Sequence, residues 1–166
     1  MKKIITLAVS ALLALTVFTG CSYTTADKKA DASGTLVEVT SQWAGPTLTI
    51  KDDWKKVKVE FASVPSALQF VYNADVVNPN DSYGNPFCSY SGGIDKKEFE
   101  IDVDAVTTNL KTLDSGITKL ASVVFQCTGS SSTYFVTKIT ATKADDTTED
   151  GALTAPSWGG TIRVIE

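Results

Sequence analysis

The stretch Val57-Lys58-Val59-Glu60-Phe61 decides how this chain is read. On an extended backbone Val57, Val59 and Phe61 fall on one side and Lys58 and Glu60 on the other, because successive side chains of a strand point to opposite faces. Such strict alternation predicts a strand with one face buried. Working outward, similar runs rich in Val, Ile, Thr and aromatics precede it at Thr35–Thr40 and Pro46–Ile50 and follow it at Ala67–Tyr72 and Glu98–Val103. Three more stand at Ala121–Cys127, Thr133–Thr142 and Gly160–Ile165. Gly, Pro, Asn and Asp separate them, the residues that favour turns. The pattern predicts an all-β domain over residues 35–166, an antiparallel sandwich of two sheets. Only the segment 104–120 (DAVTTNLKTLDSGITKL) departs from it, fitting either a short helical turn or a further strand around Asp114-Ser115-Gly116.

Before the domain stands a different kind of sequence. Lys2 and Lys3 precede an apolar run from Ile4 to Phe18, followed by Thr19-Gly20-Cys21. A positive start, a short apolar core and small residues at its end are the layout of a secretory signal peptide, here residues 1–20. The run is shorter than the roughly 20 residues a membrane-spanning helix needs. Small residues abutting Cys21 resemble a bacterial lipobox, and that resemblance implies a diacylglyceryl group on the Cys21 thiol. Two acyl chains suffice for stable anchoring, whereas one does not. The plain alternative is an ordinary cleaved leader and a free thiol. From Cys21 to Gly34 the chain is small and polar and reads as a tether. Its thirteen residues from Ser22 span about 45 Å extended and about 20 Å as a coil. The expected location is the bacterial cell envelope, at an outer membrane or cell surface.

Without Lys2 and Lys3, thirteen basic side chains face nineteen acidic ones, and the formal charge moves from −4 to −6. That balance disfavours nucleic acid, whose binding rests on Lys and Arg at the phosphates. It also gives no attraction to anionic lipid, so a lipid group alone must hold the membrane. Of the three cysteines, Cys88 and Cys127 fall within the domain. An even pair in an exported chain predicts a disulfide, with two free thiols as the alternative. Two long polar segments, 73–95 and 143–159, read as loops.

The aromatic and strand signals together carry a resemblance. Trp43–Ile50 (WAGPTLTI), Trp54–Phe61 (WKKVKVEF), Ala67–Tyr72, Gly116–Gln126 and Tyr134–Thr142 (YFVTKITAT) are similar to carbohydrate-binding modules of the jelly-roll type. The resemblance spans most of Thr35 to Glu166 and implies a jelly-roll sandwich that binds glycan on one sheet face or at loop tips. Carried over by position, the ligand candidates are Gln69, Gln126, Trp43, Tyr72, Tyr90 and Trp158. Sugar rings suit such a set: their C–H surface stacks on aromatic faces while amides take the hydroxyls. Alternation places Gln69 and Gln126 opposite Leu68, Phe70, Val123 and Phe125, hence outward if those four fill the core. Solvated glutamines and packed tryptophans are the ordinary alternatives, and Trp54 in particular reads as core. The same family often carries a structural calcium. Asp102 and Asp104, at two-residue strand spacing, are its candidate ligands, with solvated acids as the alternative. No other cofactor is called for.

The sequence contains no histidine, so Ser–His–Asp and Cys–His nucleophilic arrangements are excluded. There is no Gly-rich phosphate loop. Glu60, Glu98, Glu100 and Asp102 leave a paired-carboxylate hydrolase chemically available, yet they alternate onto an outward polar face. The chain therefore reads as a non-enzyme: a membrane-tethered polysaccharide-binding module that serves glycan-degrading or uptake partners. The rival is a structural or adhesive surface lipoprotein that binds a protein through its loops.

Overall fold

The computed structural model describes residues 33–166. The leader, Cys21 and the tether up to residue 32 lie outside the described residues. The elements are β1 (Gly34–Val39), β2 (Thr47–Thr49), β3 (Trp54–Phe61), β4 (Leu68–Val77), β5 (Pro86–Gly93), β6 (Glu98–Asp102), α1 (Val103–Lys111), β7 (Leu120–Cys127), β8 (Ser132–Lys143), β9 (Thr148–Asp150), β10 (Leu153–Thr154) and β11 (Gly160–Ile165).

Strand pairing follows a nested rule. β1 pairs with β8, β2 with β7, β3 with β6 and β4 with β5, all antiparallel, as if one long hairpin were rolled upon itself. Lateral pairing of β8 with β3 and of β7 with β4 then gives two sheets, ordered β1-β8-β3-β6 and β2-β7-β4-β5. That is the jelly-roll connectivity, a two-sheet antiparallel sandwich. β11 extends the first sheet beyond β1, β10 extends the second beyond β2, and β9 forms a hairpin on β8.

Inner faces meet as the alternation predicts. Val57, Val59 and Phe61 of β3 are buried, as are Leu68 and Phe70 of β4 and Val123 and Phe125 of β7. Phe70 sits edge-on against both Phe125 of its own sheet and Phe99 of the other, with centroids 4.7 and 4.9 Å apart. Such contacts add about 0.5–1.5 kcal/mol beyond burial. The Tyr134 hydroxyl of β8 crosses the core to donate to the Phe125 carbonyl at 3.2 Å. Trp54 is core, 4 % exposed, and its indole N–H donates to Glu149 Oε1 at 2.6 Å.

The undecided segment opens as a helix. Asp102 caps α1, its side chain accepting the Ala105 N–H at 2.9 Å, which satisfies one of the donors a helix start leaves open. Asp104 in the first turn and Lys111 in the last complement the helix dipole. Val103 and Leu110, seven residues apart, bury one face. The strand thus stops at Asp102, so Asp102 and Asp104 do not share a strand face. The carboxylate offered as a calcium ligand is a helix cap, and among the described residues no three Asp, Glu, His or Cys side chains gather as a metal site would require.

Two further expectations are corrected. The segment 73–95 is mostly strand: β4 runs to Val77 and β5 spans Pro86–Gly93, leaving as loop the turn between them and the last two residues. Alternation failed to find β5 because an edge strand of Pro, Cys, Ser and Gly has little to bury. The segment 143–159 likewise contains β9 and β10. The Cys88–Cys127 disulfide is not formed, and both thiols are free. Cys127 pairs across β4 with Leu68 and Cys88 pairs with Asn73. They are separated by two strand spacings and five residues along β4, close to 20 Å at about 4.8 Å per strand and about 3.3 Å per residue. A disulfide needs Cα atoms within about 7 Å. They also face opposite ways, Cys127 into the core and Cys88 outward.

Candidate functional site

The outer face of the second sheet carries the residues of interest. Register places Gln69 of β4 opposite Gln126 of β7, Val71 between Val124 and Tyr90, and Asn73 opposite Cys88. All lie on the side away from Phe70 and Phe125. Two loops rise at the border of this face. The first carries Trp43 between β1 and β2, and the second carries Trp158 before β11. Together they bound a cleft of about 570 Å³ lined by Trp43, Tyr90, Gln126 and Trp158, with Asn73, Asn78, Asp81 and Asn85 along its length. An adjoining hollow of about 490 Å³ is lined by Trp43, Gln69, Tyr90 and Gln126 alone. Both volumes fall in the range of small-molecule sites, roughly 300–1,000 Å³.

The Trp43 loop is held by β7. Trp43 N–H donates to the Cys127 carbonyl at 2.8 Å, Cys127 N–H to Ala44 at 2.9 Å, and Phe125 N–H to Pro46 at 2.9 Å. Gly45 permits this approach, because a Cβ there would overlap the Phe125 carbonyl oxygen. Trp43 itself has φ 70°, the left-handed region that bulky residues rarely enter, at a cost of about 1–3 kcal/mol. Its side chain stays 53 % exposed despite that anchoring. The strained backbone is thus not offset by burial of the ring.

The two glutamines complete the support. Gln69 Nε2 donates to Gln126 Oε1 at 2.7 Å, and Gln126 Nε2 donates to the Trp43 carbonyl at 3.1 Å. This relay ties β4 to β7 and β7 to the Trp43 loop. The Trp158 loop is fastened to the same place. Thr40 N–H donates to the Gly159 carbonyl at 2.8 Å. Gly159, at φ 65°, packs so closely that a Cβ would stand 2.8 Å from Ser41 Cβ and 2.9 Å from Ala44 Cβ.

At the far end the β4–β5 turn is closed by Asp81, whose Oδ1 accepts from Tyr83 N–H at 2.8 Å and from Asn85 Nδ2 at 3.2 Å. These donors, the Tyr83 N–H foremost, hold its carboxyl below the usual value. On β5 the Cys88 Sγ and the Tyr90 hydroxyl share a hydrogen bond at 3.4 Å. That contact, then burial, raises the Tyr90 phenol above its ordinary 10.0, so it stands neutral.

Five of the six ligand candidates are thus brought to one place: Trp43, Gln69, Tyr90, Gln126 and Trp158. Tyr72 is not. Its odd register relative to Gln69 turns it to the inner face, 7 % exposed, where burial pushes its phenol up to about 12. Sequence reading missed Asn73, Asn78, Asp81 and Asn85, although the Asn-rich run NPNDSYGN marked the turn that delivers three of them. The carboxylates of the other sheet are taken up by lysines: Lys58 bridges Glu60 at 3.1 Å and Glu98 at 2.9 Å, and Lys56 holds Glu100 at 2.9 Å.

Half-exposed aromatic rings beside amides, with no paired free carboxylates among them, suit the holding of a polar ligand with apolar faces. Comparison with known proteins finds no matching family, no matching curated protein and no matching solved structure.

Proposed function

We propose that this chain is a non-catalytic carbohydrate-binding protein, tethered to a bacterial membrane through lipidated Cys21, that holds polysaccharide for degradative or uptake partners. The observation that carries the reading is the trio Trp43, Tyr90 and Trp158, which stand 53 %, 59 % and 54 % exposed around one cleft. Exposing large aromatics to water forgoes burial worth about 1.5–3 kcal/mol for a side chain of that size. At Trp43 the backbone adds strain in the same direction. Glycan C–H faces cover such rings, and the amides of Asn73, Asn85 and Gln126 answer the hydroxyls. The jelly-roll topology agrees with the family the sequence resembles.

The test is affinity electrophoresis of the whole chain, purified in detergent, through gels containing β-glucan, xylan or mannan. Retardation by at least one of them is expected. Trp43→Ala or Trp158→Ala should weaken it about tenfold, the effect of truncating an aromatic anchor. No retardation by any polymer would sink the reading and leave protein adhesion through the loops as its successor.

A further inference from the structure

We propose that the cleft selects uncharged glycans and rejects those bearing carboxylates or sulfates, an inference that rests on the glycan-binding reading. Nineteen of the described residues line the cleft, and Asp81 is the single one among them that carries a charge. Among the described residues that line it, no lysine or arginine is present to meet an anionic sugar. Elsewhere in the domain cations are plentiful: the hollow beside α1 is lined by Lys51, Lys111 and Lys119. Many are also committed, since Lys51, Lys56, Lys58 and Lys143 each hold a carboxylate within 3.1 Å. Lys55 and Lys119 pair with Asp146 and Asp52.

The energetics follow from this placement. A carboxylate entering the cleft sheds part of its hydration, which is unfavourable unless a counter-charge replaces it. Here it meets the fixed negative charge of Asp81, held by donors of its own turn, and the acidic balance of the whole chain. A neutral hydroxyl incurs a smaller penalty, because it carries no charge to desolvate and amide N–H and C=O groups can take its hydrogen bonds.

Hydroxyethylcellulose and carboxymethylcellulose offer one backbone in neutral and anionic form, with glucomannan and arabinoxylan set against alginate and polygalacturonate as further probes. Binding of the whole chain is measured by calorimetry at about 0.15 M and about 1 M salt, the second shrinking the Debye length to about 3 Å so that only charge local to the cleft remains. The expected result is binding to at least one neutral polymer and at least tenfold weaker binding to every anionic one at both salts. Ser157→Lys, which sets a cation beside Trp158, should narrow that gap. Binding of any anionic polymer as tight as the best neutral one overturns the inference while leaving the cleft a glycan site. So does a gap that Ser157→Lys leaves unchanged. Absence of binding to all polymers removes the glycan reading itself, and the inference with it.

Discussion

The two outer faces of this sandwich start from the same alternation and end as opposites. On the first sheet, Lys56, Lys58, Glu60, Glu98 and Glu100 stand on neighbouring strands and close on one another as ion pairs. Each partner has its charge answered there, and such solvent-screened pairs contribute little to stability. On the second sheet the outward positions are Gln69, Val71, Asn73, Val124, Gln126 and Tyr90, and two loops add tryptophans. There the hydrogen bonds position groups without covering them. One face is closed by ion pairs, while the other keeps its aromatic rings half-exposed beside amides that are hydrogen-bonded to one another and to the loops. The contrast is why the glycan-binding proposal rests on the second face.

The largest effect belongs to the layer both faces share. Phe125 lies beneath the cleft and touches Phe70; Phe125→Ala should lower stability by about 3–5 kcal/mol, read by denaturant unfolding. An unchanged midpoint would mean that the two sheets do not pack through this residue. Gly45→Ala should come next. Its methyl group overlaps the Phe125 carbonyl and must push the Trp43 loop outward, at about 1–3 kcal/mol. Tryptophan emission should shift and glycan binding should fall, while the ion-paired face stays intact.

Acid sharpens the comparison at the end of the first sheet. Glu149 accepts from Lys51, Lys143 and the Trp54 indole, and these contacts, Lys51 first, bring its pKa from 4.5 down to about 2. A carboxyl more acidic in the folded state stabilises fully above the unfolded value, and that contribution is lost as pH falls from 4.5 toward 2. Trp54 fluorescence should therefore change across that window, and in Glu149→Gln the acid-dependent part of the change should disappear. Smallest of all is Lys58→Ala. Its ion pairs are screened by solvent, so stability should hardly move and cleft binding not at all. A measurable loss of binding would place part of the site on the first sheet.

The sequence was most informative where one face of a strand is buried. Val57, Val59 and Phe61 announced β3 because burial imposes period two. The nested pairing could not be read, since nothing local says that β1 will meet β8. β5 and the two-residue β10 bury little and left no pattern. The helix hid in a Thr- and Asp-rich run whose start depended on recognising Asp102 as a cap. At the site, Gln69 and Gln126 were legible as outward residues, but not their bond to each other. Tyr72 misled for a simple reason: the family resemblance carried it over by position as an aromatic, while its parity, shared with Phe70, put it inside. Cys88 and Cys127 misled because even number speaks for pairing, whereas register and facing decide it.

The most direct test of the account is the affinity of the whole chain for neutral polysaccharides, compared with that of Trp43→Ala under conditions where both are folded. The account predicts that a β-glucan, xylan or mannan retards the wild-type protein and that the substitution weakens this about tenfold. Equal retardation of the two proteins, or none of either, would contradict it.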